Sequence, residues 1–328
     1  MITITDIQIF IITHNRAIFL EESINCLLRQ TAGIKEITVL DNESTDNTEE
    51  IVKKYLNKGV KYKKTFGNKA NYFISVEMSS KLYTLIFHDD DLLNESYLES
   101  AIEILNKHKN ISFITTRYTE FTSDIKPDIR KKEIEKNYYL FQKQSDFATN
   151  MYFFERIAFC SCIFKTELLK NNSFEFEKYG KFFDWPYLVK LSEYGSVVLF
   201  NDIKMLYVRI HTGQWTNDKT SMLTANQIIN WDKCFYDALH AGNIYSFIHY
   251  MYIEKFKHFI YGKYDIFFPD SEKNNFSKED ILMLAEKSGI KTSGNPLIDR
   301  IFKIKIINRI SHILFIFIAK RKNLKKLK

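Results

Sequence analysis

The stretch Leu82-Tyr83-Thr84-Leu85-Ile86-Phe87-His88-Asp89-Asp90-Asp91 sets an apolar run directly against a histidine and three consecutive carboxylates. A short apolar run of this kind reads as a buried strand, so the acids sit where that strand surfaces. At the carboxyl end of a strand in an open α/β sheet, the default reading is a ligand crevice. Carboxylates packed this closely repel and raise one another's pKa unless protons or a cation neutralise them. Oxygen ligands suit a hard ion such as Mg2+ or Mn2+. The local alternative is a solvated strand-to-helix turn in which Asp91 or Asn94 caps a helix starting near Glu95. The first reading expects the three acids to be strand-end residues and partly exposed.

Outward from this stretch, residues 7 to about 120 alternate apolar β-like runs with helical patterns, the signature of a mostly parallel sheet covered by helices. Strands are expected at Gln8–Thr13, Glu36–Leu40, Val60–Thr65, Leu82–Phe87 and Ile111–Thr116. Leu20, Ile24, Leu27 and Leu28 recur at helical spacing, and Asp46 followed by Glu49 makes a capping box ahead of Ile51, Val52 and Tyr55. Residues 121–155 are polar and charged and read as a long loop of the kind that forms lids. Beyond them Ala158–Phe164 is strand-like and Trp185–Tyr194 helix-like. From about Leu223 the pattern turns long and helical, with Ile228, Trp231, Phe235 and Leu239 in phase.

A chain of 328 residues, 45% apolar and 15% aromatic, is long enough for a catalytic domain plus an accessory region. We therefore expect residues 1–220 to be the catalytic domain and 221–328 a helical C-terminal region. Cys26, Cys160, Cys162 and Cys234 lack the paired spacing of a zinc site and are too sparse for a disulfide scaffold, so they read as reduced cytoplasmic thiols. Cys160-Ser161-Cys162 reads as part of a buried strand rather than a nucleophile. The N-terminus has no basic n-region or long apolar stretch and does not read as a secretory signal.

The net charge of +7 does not indicate nucleic-acid binding once it is located along the chain. Residues 300–328 hold ten Lys or Arg and no acid, leaving 37 bases against 40 acids in the rest. The basic surface is a C-terminal tail. The seven apolar residues Ile313–Ala319 are too few to span a bilayer. Joined to Phe302, Ile306, Ile307, Ile310 and the flanking bases, they read as an amphipathic helix lying on an anionic membrane, the alternative being a helix packed on the body.

Five segments, taken in order, resemble family 2 glycosyltransferases of the GT-A fold. They are Ile12-Thr13-His14-Asn15-Arg16, the loop from Leu40-Asp41-Asn42 through Ser44-Thr45-Asp46-Asn47-Thr48, the His88–Asp91 run, Asp184-Trp185, and Tyr207-Val208-Arg209-Ile210-His211-Thr212-Gly213-Gln214. The resemblance implies a Rossmann-like mixed, mostly parallel α/β sheet flanked by helices. It implies inverting, metal-dependent transfer of a sugar from a nucleotide-sugar, UDP-linked by the match at Asp41, to a growing bacterial surface glycan or its lipid-linked form. The enzyme would then be cytoplasmic and peripheral on the inner face of the membrane.

The family pattern assigns roles residue by residue. Thr13, His14, Asn15, Asp41, Asp89 and Asp90 are expected to bind donor, with Asp41 contacting uracil and His14 stacking on the base. Asp90, Asp91 and His211 are expected to hold Mn2+ or Mg2+, whose Lewis acidity stabilises the departing diphosphate. His88 stands where the family's first aspartate is usual, which leaves open the carboxylate that ligates directly. Asp184 is the expected general base; it follows Phe182-Phe183, so partial desolvation raises its pKa toward useful basicity, and it also suits a helix start ahead of Pro186. Two other classes share an acidic cluster or a decayed fold: a metal-dependent nucleotidyl or phosphoryl transferase, and a non-catalytic glycan-binding protein. The first lacks a G-x-x-x-x-G-K-[ST] phosphate loop.

Overall fold

The computed structural model describes residues 1–67, 69–130, 136–153, 157–200, 204–214, 225–240 and 324–327. Its strands are β1 (Ile7–Thr13), β2 (Ile37–Asn42), β3 (Val60–Thr65), β4 (Tyr83–His88), β5 (Leu92–Leu93), β6 (Ile111–Thr116), β7 (Tyr118–Phe121), β8 (Lys136–Phe141), β9 (Ile163–Lys165), β10 (Ser196–Phe200), β11 (Leu206–Arg209) and β12 (Leu324–Leu327). The helices are α1 (Ala17–Leu28), α2 (Thr48–Lys53), α3 (Ala70–Met78), α4 (Tyr97–Lys107), α5 (Gln144–Phe153), α6 (Thr166–Asn171), α7 (Phe176–Tyr179), α8 (Asp184–Leu191) and α9 (Ala225–His240).

The main sheet runs β12-β8-β10-β6-β9-β4-β1-β2-β3. The pairs β4-β1, β1-β2, β2-β3 and β6-β10 are parallel, while β9 and β8 pair antiparallel with their neighbours, so the sheet is mixed and mostly parallel. The chain lays β2 and β3 on one side of β1, then returns to place β4 on the other. That reversal opens a crevice at the carboxyl ends of β1 and β4.

Both sheet faces are covered, which is why β1 and β6 are buried along their whole length. Alternate β1 residues enter two separate cores. Ile7, Ile9 and Ile11 join Leu20, Ile24 and Leu27 of α1 and Leu98 and Ile104 of α4; Phe10 and Ile12 join Phe147 of α5 and Leu188 of α8. Each such fully buried side chain contributes roughly 1.5–3 kcal/mol. A second sheet, β5-β11-β7, stands beside the crevice.

Three expectations change. Residues 121–155 are not one loop, since β8 pairs with β10 and α5 follows; Tyr138 faces one core and Tyr139 and Phe141 the other, in a short apolar run set between charged stretches. The Ala158–Phe164 strand is broken by a tight turn at Phe159–Ser161, and pairing resumes only at Ile163. Within the C-terminal region, α9 is helical as expected and buries Trp231 and Phe235, but Leu324–Leu327 is extended. This segment pairs with β8, Leu324 opposite Tyr139, and so covers a row of backbone groups that an edge strand would expose. The rest of residues 241–328, including Ile313–Ala319, lies outside the described residues.

Candidate functional site

Parallel pairing brings three strand ends level. Thr13 of β1 stands opposite Asp41 of β2, and Ile12 opposite His88 of β4. Asn42 Oδ1 is buried here without a hydrogen-bond partner, and Thr13 Oγ1 and Asp89 Oδ2 are buried with only the contact between the Thr13 and Asp89 side chains to satisfy them. Buried polar atoms are satisfied in the large majority of cases, and each unmet one costs about 1–3 kcal/mol. Incompletely satisfied polar atoms at these strand ends suit a polar ligand.

The acids are not partly exposed as expected; Asp89, Asp90 and Asp91 are 1%, 5% and 3% accessible. Two arginines and the small sheet cover them. Arg16, just before α1, reaches Asp89 Oδ1 at 3.0 Å, Asp90 Oδ2 at 2.8 Å and the Gly213 carbonyl at 3.0 Å. Arg209, on β11, is itself buried; its Nε donates to the Asp90 carbonyl (2.9 Å) and its backbone N–H to Asp91 Oδ1 (3.1 Å). Its guanidinium lies between the Phe19 and Phe121 rings and pairs with Glu22 at 2.5 Å. A buried charge needs such partners to be tolerated. The Ser23 hydroxyl, 2.8 and 2.9 Å from the Asp89 and Asp91 carbonyls, pins the acidic turn from α1.

The small sheet explains how His211 arrives. Pairing of β11 with β5, Leu206 opposite Leu93, fixes the segment after Arg209 over the acidic turn, and His211 Nε2 lies 3.0 Å from Asp90 Oδ2. Asp91 points elsewhere: its Oδ2 accepts from the Cys160 thiol at 3.0 Å. The three carboxyls therefore differ. Burial, with Asp90 beside it, pushes Asp89 up to about 6, and burial pushes Asp91 well above the usual range. Burial acts on Asp90 in the same direction, but the His211 hydrogen bond and the charge of Arg16 outweigh it and hold Asp90 low.

On the β2 side, Asp41 accepts from the Ser44 N–H at 3.0 Å and from the Tyr62 hydroxyl at 2.6 Å. His14 is exposed and its Nδ1 lies 2.5 Å from the Asn42 carbonyl, so that nitrogen carries the proton. Asn15 has a left-handed φ of 52°, stabilised as its N–H donates to Ser44 Oγ (2.8 Å) and its Oδ1 accepts from the Thr45 N–H (2.7 Å). Asp46 accepts from the N–H groups of both Ala17 (2.9 Å) and Thr48 (3.1 Å), tying the starts of α1 and α2 together. Its role is structural.

Asp184 is the first residue of α8, and burial raises its pKa to about 7 against the opposing backbone N–H groups of Trp185 and of Asp184 itself. Tyr72 of α3 lies between it and the acidic turn. The Tyr72 hydroxyl is 3.4 Å from His88 Nε2, and its ring packs edge-on against Phe159, Phe174, Phe176 and Phe183. Asp184, Arg16 and Asp90 all act electrostatically on that hydroxyl.

A divalent cation fits the donor set at Asp90 and His211. Two adjacent ligands of an octahedral ion at about 2.0–2.1 Å stand about 3 Å apart, the separation found here. The Gly213 N–H donates to His211 Nδ1 at 3.1 Å, so the present tautomer keeps its proton on Nε2, and holding a cation requires the other one. Sequence reasoning did not assign roles to Arg16, Glu22, Tyr62, Tyr72, Arg209 or Cys160. Arg16 and Arg209 lie inside matched segments, which was the available signal; Tyr62 and Cys160 carry none beyond residue type.

Residues 8–167 match the family described as Glycosyl transferase family 2. Comparison with curated proteins gives no match. Among solved structures the chain is similar to residues 1–349 of S. aureus TarS in complex with UDP-GlcNAc, at TM-score 0.58 and 16% identity, covering 81% of this chain and 77% of that one. The complex of the same protein with UDP gives TM-score 0.56 at 17% identity, covering 81% and 76%. Taken with the strand-end crevice, these similarities identify residues 8–167 as a family 2 glycosyltransferase domain of GT-A fold, and the chain as a glycosyltransferase.

Proposed function

We propose that the enzyme is an inverting, metal-dependent transferase that moves a sugar from a UDP-sugar onto a growing bacterial surface glycan. The observation that carries this reading is the cluster of buried, incompletely satisfied side-chain polar atoms of Thr13, Asn42 and Asp89 at the strand ends, flanked by the Asp90–His211 pair. Asp41, oriented by Ser44 and Tyr62, accepts from the single N–H of the uracil base, His14 stacks on the base, and Thr13, Asn15 and Asp89 hold the ribose side. The UDP-GlcNAc complex of TarS supports a uridine donor as the first to test.

Asp90 and His211 hold Mn2+ or Mg2+, with Asp91 positioned behind them. The ion supplies Lewis-acid stabilisation of the leaving diphosphate. Asp184 takes the proton from the acceptor hydroxyl; its raised pKa places it near neutral pH, where a general base is effective. Direct displacement with one base inverts the anomeric centre. A basic tail beyond the described catalytic residues supports a lipid-linked acceptor and attachment to the inner face of an anionic membrane, and among the described residues no helix is long and apolar enough to cross one. Calorimetric titration of UDP, GDP and CDP with and without Mn2+ tests the donor reading. UDP binding that needs Mn2+ supports it; equal affinity for all three, or binding indifferent to the ion, overturns it.

A further inference from the structure

We propose that His88, Asp91 and Cys160 form a second cation site, suited to a borderline-soft divalent ion such as Zn2+ and separate from the pair Asp90 and His211. One ligand atom from each of the three lies within 4.8 Å of the others. Cys160 Sγ is 3.0 Å from Asp91 Oδ2, and His88 Nδ1 is 3.8 Å from the same oxygen. A set of one nitrogen, one oxygen and one sulfur is zinc chemistry, because thiolate is a poor ligand for Mg2+ or Mn2+.

The fold brings the set together from two chain segments, with Cys160 lying outside the acidic run that carries His88 and Asp91. His88 ends β4 and Asp91 follows three residues on. Cys160 lies in the tight turn before β9, which pairs antiparallel with β4, Leu85 opposite Ile163. Two of the three ligands already have the outer partners that metal ligands need. The Arg209 backbone N–H holds Asp91 Oδ1, leaving Oδ2 toward the sulfur. His88 Nε2 lies 3.4 Å from the Tyr72 hydroxyl, which can accept a hydrogen bond from Nε2–H in the tautomer whose Nδ1 lone pair serves the set. His211 is the contrast, since its outer nitrogen already receives an N–H.

The His88 side chain is 31% accessible and that of Asp91 4%, so the ion enters past the imidazole. On binding, the Cys160 S–H bond breaks, its proton leaves to solvent, and a sulfur–metal bond forms. Thiolate and carboxylate then offset the two positive charges. Three protein ligands leave one position for water.

Co2+ substitutes for Zn2+ as a spectroscopic probe on the full-length, reduced protein. The expected result is a sulfur-to-cobalt charge-transfer band in the near ultraviolet that saturates at one equivalent and is bleached by Zn2+. It should vanish in Cys160→Ser and persist in Cys162→Ser, whose sulfur faces the Ala158 carbonyl. His88→Ala, at the most accessible of the three positions, should weaken Co2+ binding about tenfold or more and decides the matter if Cys160→Ser does not fold. Absence of the band in the unaltered protein, its survival in Cys160→Ser, or wild-type Co2+ titration by His88→Ala would overturn the site.

Discussion

Replacing Asp184 with Asn separates chemistry from stability, because the two are expected to move in opposite directions. In the fold the carboxyl has a pKa of about 7, against 3.8 when free. The folded state therefore binds the proton more tightly than the unfolded chain. The resulting stability is complete below pH 4 and is lost as pH rises to 7, where the carboxylate is ionised in a buried setting. At about 1.4 kcal/mol per pKa unit the ceiling of that loss is roughly 4 kcal/mol, and partial solvent access reduces it to about 2 kcal/mol. A carboxylate in the first turn of α8 returns about 0.3–1 kcal/mol through the helix dipole. Asp184→Asn should then gain on the order of 1 kcal/mol at pH 7.5 and raise Tm by a few degrees. Its kcat should drop about 10²–10⁴-fold with UDP affinity unchanged. The unaltered enzyme should lose kcat/KM tenfold per pH unit below about 7, and the acid limb should be missing from the residual activity of the variant. Thermal melts between pH 5 and 8, with pH–rate profiles, provide the assay. A lower Tm with near-normal turnover would make Asp184 a structural helix-start residue and refute the base assignment.

Three further outcomes follow from the same geometry. Asp90→Asn should abolish Mn2+-dependent UDP binding in calorimetry and also lower Tm, because it removes the buried carboxylate that pairs with Arg16 and His211, so binding is read at a temperature where the variant is folded; unchanged metal-dependent binding would reject the site. Tyr62→Phe removes the hydroxyl that donates to Asp41 and should weaken UDP about tenfold, the equivalent of one hydrogen bond of roughly 1.4 kcal/mol, with kcat preserved at saturation; wild-type UDP affinity would place the base elsewhere. Replacing Lys320, Arg321 and Lys322 together by Gln leaves the β12 sequence intact and removes three charges of about 1 kcal/mol each at an anionic surface. Cosedimentation with phosphatidylserine vesicles should fall roughly 100-fold, and equal binding at all salt concentrations would assign the tail a packed role.

The parallel half of the sheet was legible because β1, β2, β4 and β6 are largely buried and read as near-continuous apolar runs, while the edge strand β3 keeps only an alternation of Val60 and Tyr62 with exposed lysines. Val60–Thr65 and Ile111–Thr116 match their strands residue for residue, and Leu82–Phe87 is displaced by one. The antiparallel half was not, because the four-residue run Tyr138-Tyr139-Leu140-Phe141 is short and set between the charged stretch ending at Lys136 and Gln142-Lys143, and its pairing partner β10 is remote in sequence. Within the site, strand-end acids announce themselves by position. The residues that orient them do not: Arg209 is buried through contacts with Phe19, Glu22 and Phe121, each remote in sequence, and the Cys160 thiol meets Asp91 only because a turn interrupts the expected strand. Local pattern reports which face is apolar, whereas a charged side chain's partners are set by tertiary packing.

The central claim is tested most directly by nucleotide release from a panel of UDP-, GDP-, CDP- and dTDP-sugars with Mn2+, using the full-length protein and mixed glycan acceptors. The account predicts release of UDP alone, stopped by a chelator, restored by Mn2+ and absent in Asp90→Asn. Release from a non-uridine donor alone, or turnover that survives both the chelator and Asp90→Asn, would contradict it.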